Sequence, residues 1–142
     1  MDKRLKQFID EYHPCKEAVE WLKGKKFKPI KILDQLIAEN KLDWANWFIV
    51  RIMNREQRIK YAIFAAEQVL YIYEEKYPDD NRVRKAIDNA KKCLINPNKD
   101  AAAWLVVSAW VAAWAVSATD AAYDTTLLKI LDYGKALITN KN

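Results

Sequence analysis

The sequence predicts an all-α fold: one helical domain over residues 1–142, with about seven or eight helices wrapped round a long central helix rich in alanine and tryptophan. Three observations carry this expectation. Glycine occurs only at Gly24 and Gly134 and proline only at Pro14, Pro29, Pro78 and Pro97, so the turn chemistry of a β-sandwich or barrel is missing. Apolar residues recur three and four apart, the spacing of one helix face. A chain of 142 residues, 51% hydrophobic and 30% charged, has the balance of an ordinary globular domain with apolar side chain for one core.

Capping residues and prolines mark the elements in order. A first helix is expected from about Asp2 to Tyr12. Pro14 opens a second, with Ala18, Trp21 and Leu22 on one face, which Gly24 stops. Pro29 starts a third, carrying Ile32, Leu33, Leu36 and Ile37 to a natural end at Asn40. Asp43 is read as the cap of a fourth, Trp44 to Met53, whose Trp44, Trp47, Phe48 and Ile52 form a heavy apolar face. Asn54 followed three residues later by Gln57 has the form of a capping box. The fifth helix follows it, with Ile59, Ile63, Ala66, Leu70 and Tyr73 inward, until Pro78. Asp79 and Asp80 cap a sixth bearing Val83, Ile87, Ala90 and Leu94. Asn96 and Pro97 then begin the long apolar helix. It either continues or breaks near Thr119 and Asp120, after which Leu127, Leu128, Leu131 and Leu137 pack inward.

The uncharged stretch from Ala101 to Ala118 just reaches the length of a membrane span. Its alanine content, the spread of Trp104, Trp110 and Trp114 through its middle, and the closing Asp100 and Asp120 favour a buried core helix instead. The opening residues are mixed in charge and lead into no long apolar run, so neither a secretory signal nor a membrane location is expected and the chain reads as cytoplasmic.

A formal net charge of +5 admits nucleic acid, anionic lipid or an acidic protein surface as partner. The densest run is Lys23, Lys25, Lys26, Lys28 and Lys31, which a solvated connecting loop explains equally well. Arg51, Arg55, Arg58 and Lys60, and then Arg82, Arg84, Lys85, Lys91 and Lys92, are the groups a nucleic-acid surface would use. Carboxylates at Asp43, Glu56, Asp79, Asp80 and Asp88 interrupt both groups, so ion pairs are the simpler expectation.

Catalysis finds little footing. His13, the only histidine, would have to carry any Ser-His or Cys-His arrangement, and Cys15 two residues on is poorly placed for it. The carboxylates Glu74-Glu75 and Asp79-Asp80 sit at adjacent positions that point apart, and the aspartates suit capping. Cys15 and Cys93 form no metal-ligand spacing, and no glycine-rich phosphate loop or His-Glu-x-x-His occurs. No enzyme activity, metal or cofactor is therefore expected.

Several pieces resemble a known family. Asp43-Trp44-Ala45-Asn46-Trp47-Phe48-Ile49-Val50-Arg51 looks like a segment of the helical immunity-protein family of bacterial toxin systems. Cys15-Lys16-Glu17-Ala18-Val19-Glu20-Trp21-Leu22 resembles the family's opening helix. Lys76-Tyr77-Pro78-Asp79-Asp80-Asn81-Arg82-Val83-Arg84-Lys85-Ala86-Ile87 resembles its Tyr-Pro-Asp-Asp and Arg-x-Arg-x-Ala-Ile region. The alanine-rich stretch agrees in character, though bulky Trp and Val stand among its alanines. Asn81-Arg82-Val83-Arg84 also lacks a proline that often separates the arginines.

The resemblance implies a non-catalytic protein that neutralises a toxin by stoichiometric binding, where affinity and slow release matter. A small inhibitor of a host defence complex, encoded by a phage or mobile element in the manner of anti-CRISPR proteins, would use the same mechanism. A basic helical protein associated with nucleic acid is the alternative of another class. Aromatics and arginines dominate protein interfaces, so surface-facing members of Trp44, Trp47, Arg51, Tyr71, Tyr73, Arg82 and Arg84 are the candidate partner-binding residues. A nuclease with a basic cleft is most readily blocked by an acidic inhibitor. A basic chain points instead to an acidic or neutral target, or to a basic surface turned away from the contact. Homo-oligomers are compatible with all of these readings.

Overall fold

Helix boundaries in this chain follow from where side-chain oxygens and left-handed residues can satisfy free backbone groups. The computed structural model describes residues 1–95 and 123–140, leaving out the side chains at 69, 71–73, 83, 86, 90, 93–95 and 123. The fold is all-α. Seven helices and no strand occur among the described residues: α1 (Lys3–Tyr12), α2 (Lys16–Leu22), α3 (Pro29–Ala38), α4 (Leu42–Ile52), α5 (Arg55–Lys76), α6 (Arg82–Ile95) and α7 (Tyr123–Thr139). The stretch expected to form the central apolar helix lies outside the described residues, as do Thr119 and Asp120.

The local signals translate into particular bonds. Asp2 caps α1, its Oδ1 accepting from the Arg4 and Leu5 amides at 2.9 and 3.3 Å. His13 closes the same helix in the left-handed region at φ 48°. Leu22 to Lys25 form a turn whose third residue, Gly24, has φ +80°, a value suited to glycine, and the Lys25 amide donates to Leu22 O at 3.1 Å. Asn40 has φ 57° and ends α3 in a Schellman motif, with Lys41 N donating to Leu36 O at 2.8 Å and Asn40 N to Ile37 O at 3.0 Å. Pro29 occupies the first turn of α3.

Two boundaries differ from the sequence expectation. α4 begins at Leu42, so Asp43 lies inside its first turn, where a negative charge favours the helix dipole, and is not its cap. α2 begins at Lys16 with Cys15 as its N-cap residue, which places Pro14 one residue before the cap.

The chain divides into two compact units, Met1–Phe48 and Ile49–Asn142. In the first, Leu5 and Phe8 of α1 join Leu22, Ile32, Leu33, Leu36, Leu42, Ala45 and Phe48 in the core. Phe8 is its aromatic centre, with ring centroids of Tyr12, Phe48, Phe27 and Trp47 at 4.9, 5.3, 5.7 and 6.1 Å. Asp2 also braces the loop after α2, since its Oδ2 accepts from the Phe27 amide at 3.2 Å. That bond, with the cap, holds the Asp2 carboxyl below its ordinary value.

In the second unit α5 packs against both α6 and α7. Its buried residues form two stripes: Ile59, Ala62, Ile63 and Ala66 on one, Tyr61 and Ala65 on the other. A helix serving two neighbours buries more than one face, which explains the fully buried Tyr61 that a single-stripe reading missed. Burial pushes its phenol far above the ordinary range, so it stays neutral. Phe64 stacks on Tyr133 of α7 at 4.1 Å and 9°. α7 buries Leu127, Ile130 and Leu131, with Leu137 half-buried. Leu128, expected inward, is 37% exposed: 100° from its neighbour Leu127, it falls on the solvent side once Leu127 and Ile130 set the inner face.

The capping box forms as the sequence spacing predicts. Asn54 Oδ1 accepts from the Gln57 amide at 2.8 Å, and Gln57 Oε1 accepts from the Asn54 amide at 2.9 Å. The Gln57 amide group also donates to Leu137 O near the end of α7, at 3.1 Å. One side chain thus starts α5 and ties it to a helix 80 residues away. Gln57→Ala is expected to destabilise the protein by about 1–2 kcal/mol. Gln57→Glu, which keeps the box acceptor but loses the donor to Leu137, should recover part of that loss in urea unfolding.

Candidate functional site

Two surface features collect the residue types that binding sites use, one in each unit. The first is a cavity of about 330 Å³ in Met1–Phe48. Its floor is buried side chain: Phe8, Leu22, Ile32, Leu36 and Phe48. Its walls are the half-buried Pro14, Ala18, Trp21, Trp44 and Trp47, and the exposed Cys15 and Asp43 reach its mouth. Helical spacing builds it, because Ala18 and Trp21 are three apart on α2, Ile32 and Leu36 four apart on α3, and Trp44, Trp47 and Phe48 repeat the pattern on α4.

The indoles are held in place by specific partners. Trp21 Nε1 donates to Glu39 Oε1 at 3.1 Å. Lys25 Nζ lies 4.3 Å from the Trp21 ring centroid and Lys41 Nζ lies 4.6 Å from that of Trp44, both within cation–π range. Trp47 meets Phe8 edge-on at 80°. Aromatic walls and a small number of polar groups at the rim are the usual make-up of a recognition pocket. Cys15 carries a free thiol.

The second feature is the corner between α5 and α6, where residues 76–82 frame a shallow depression. Asp80 starts α6 by accepting from the Arg82 amide at 3.0 Å and grips the same residue's guanidinium at 2.7 Å. Arg84 reaches back to Glu74 of α5 with two bonds of 2.6 and 2.9 Å. Tyr77 stands 49% exposed between them in sequence. The Arg84 guanidinium holds the Glu74 carboxyl below its ordinary 4.5, and the carboxylate raises Arg84 in turn.

Because the folded value of Glu74 is depressed, its stabilising contribution is complete above its ordinary value. It is lost as the pH falls through the folded value. Glu74→Gln is therefore expected to lower the melting temperature slightly at pH 7, and the gap from wild type should narrow as the pH falls below the ordinary carboxylate value. A gap that persists unchanged in acid would mean that the bidentate pair contributes nothing through charge.

The sequence-predicted binding residues distribute over these features unevenly. Trp44 and Trp47 meet in the cavity; Arg82 and Arg84 meet at the α5–α6 corner, both exposed. Arg51 is half-buried on α4. Tyr71 and Tyr73 lie on α5, with side chains outside the described set. Sequence reasoning placed Trp21 on an inward face and took the lysines near it for a plain loop. The usable signal was the pairing of two of the tryptophans with a lysine three or four residues away, Trp21 with Lys25 and Trp44 with Lys41.

Some of the basic groups are held by carboxylates or lie over aromatic rings. Besides Arg82 and Arg84, Lys60 pairs with Glu56 at 2.9 Å and Lys23 with Glu20 at 2.7 Å. His13 is exposed at the end of α1. Among the described residues no group of three or more His, Cys, Asp or Glu is placed to hold a metal ion, and no helix is long and apolar enough to cross a membrane.

Comparison with known proteins adds one finding. Residues 49–103 match the model of a family described as "Imm-5 like putative immunity protein", the immunity-protein class that the sequence motifs resemble. The matched segment takes in α5, the Tyr77 to Arg84 corner and α6. No curated protein and no solved structure matches the chain.

Proposed function

We propose that this chain is a non-catalytic protein-binding inhibitor of the immunity kind, which neutralises a toxin by forming a stoichiometric complex with it. The observation that carries this reading is the match of residues 49–103 to an immunity-protein family. The physical character of the matched segment supports it. Inhibition by occlusion requires side chains held ready in their bound geometry, because every rotamer frozen on binding subtracts from affinity. At the α5–α6 corner Arg82 and Arg84 are exposed, yet Asp80 and Glu74 already fix them, beside an exposed tyrosine. Tyrosine and arginine are the side chains most often dominant in protein interfaces.

The ion pairs also weigh against a nucleic-acid surface, which would need those cations directed at phosphates. Trp44, Trp47 and Arg51 remain candidates for a second part of the interface.

The test is recovery of the tagged full chain from its native host with nuclease treatment, followed by mass spectrometry and an activity assay of what co-purifies. The expected result is one protein at a fixed ratio whose toxicity or enzymatic activity falls on binding, and regains it with Arg82→Ala plus Arg84→Ala. Recovery of nucleic acid alone, lost on nuclease treatment, would overturn the reading.

A further inference from the structure

The cavity between α1, α2, α3 and α4 lies outside the segment matched by the family, and the α5–α6 corner makes no use of it. We infer that it receives one bulky apolar side chain from an acidic loop of the partner protein, with carboxylates beside that side chain meeting Lys25 and Lys41. The inference rests on the protein-binding reading above and adds to it a pocket and the chemistry of what fills it.

Size, shape and charge each narrow the occupant. About 330 Å³ is at the small end of the ~300–1,000 Å³ range of ligand pockets, suited to a single large side chain. The floor is apolar and buried while Cys15 and Asp43 at the mouth are exposed, so the space is reached from solvent. Apolar surface left facing such a space forfeits the packing that a filled one would give. An inserted apolar group recovers that loss.

The charge around the mouth selects its neighbours. Lys25 and Lys41 already lie over the Trp21 and Trp44 rings, so an incoming lysine or arginine would bring a like charge against them. Lys26, Lys28 and Lys31 add exposed positive charge from the loop after α2 and the start of α3, and no carboxylate occurs between Trp21 and Leu33. Asp43 lines the cavity and Glu39 accepts from Trp21 Nε1, opposing charges set among the lysines. The complement is an apolar anchor in an acidic setting, which also gives a basic inhibitor a reason to find an acidic surface on its target.

The probe is the peptide acetyl-Asp-Glu-Phe-Asp-Glu-amide, titrated into the ¹⁵N-labelled full chain. Its controls are the same peptide with alanine for phenylalanine and acetyl-Lys-Lys-Phe-Lys-Lys-amide. The acidic phenylalanine peptide is expected to shift the indole N–H signals of Trp21, Trp44 and Trp47 and to slow alkylation of the Cys15 thiol. Raised salt should weaken it. Lys25→Gln with Lys41→Gln should weaken binding roughly tenfold, and Ala18→Leu, which extends a small wall residue into the space, should abolish it. Circular dichroism checks whether each variant folds, and the lysine variant carries the test alone if Ala18→Leu does not. No indole shift at millimolar peptide, or equal binding of the alanine or lysine control, overturns the inference. Once the toxin is in hand, full affinity of the cavity variants for it would also overturn the inference while leaving the inhibitor reading intact. Absence of any protein target would sink that reading whatever the peptides do.

Discussion

Phe8→Ala is expected to destabilise the protein by about 3–5 kcal/mol, the usual cost of removing a buried aromatic ring. Phe8 is 6% exposed and touches four aromatic rings contributed by α1, α4 and the loop after α2. Deleting it removes buried apolar area and also the tilted and edge-on ring contacts, each worth about 0.5–1.5 kcal/mol beyond area alone. The lost ring also opens the space beneath the cavity, since Phe8 lines its floor. Little can collapse to fill it, because α1 is already fixed by Asp2 at its start. Phe8→Leu keeps most of the buried volume and should cost less than about 1.5 kcal/mol. Urea unfolding of both variants decides the matter. A Phe8→Ala loss below about 1 kcal/mol would show that the aromatic cluster does not organise this unit.

Gly134→Ala should destabilise by about 2 kcal/mol, although alanine is the better helix former by ~1 kcal/mol. Gly134 lies within α7, where a Cβ would stand 2.5 Å from Tyr61 Cε1, 2.7 Å from Tyr61 Cδ1 and 2.7 Å from Ile49 Cδ1. Ile49 can yield by turning its terminal methyl. The Tyr61 ring has no such freedom, being fully buried, so relief requires α7 to move away from α5. That shift would strain the Phe64–Tyr133 stack and the Gln57 bond to Leu137. The melting temperature should fall by roughly 5–10 °C. In an Ile49→Val background the cost should shrink, because one of the three close contacts is gone, and the double-mutant cycle measures that coupling. A rise in stability would mean that helix propensity outweighs the close approach.

The candidate sites were legible to different depths. Trp44 and Trp47 stand out in the sequence as large aromatics on one helix face, and they do share a cavity. Trp21 did not, because its three-residue spacing from Ala18 reads equally as core, and only the tertiary packing leaves it half-buried. Arg82 and Arg84 were legible as candidates by residue type alone. Arg82 is fixed locally, by Asp80 two residues before it, whereas the fixation of Arg84 by Glu74 on the preceding helix required the turn at Pro78 to bring α5 and α6 side by side.

What the sequence by itself determined was the helical class and most helix ends. The Asn54–Gln57 box, the left-handed Asn40, the turn at Gly24 and the first-turn Pro29 all act within a few residues, so their chemistry is complete in the local chain. The immunity-protein resemblance was likewise readable from contiguous motifs. Tertiary structure alone decided which faces those helices bury. It buried Tyr61, turned Leu128 to solvent, joined Asp2 to Phe27 and Gln57 to Leu137, and left an aromatic cavity among four helices. Each of these depends on partners far away in the chain, and helical periodicity specifies a face without specifying how many neighbours that face, or its opposite, will meet.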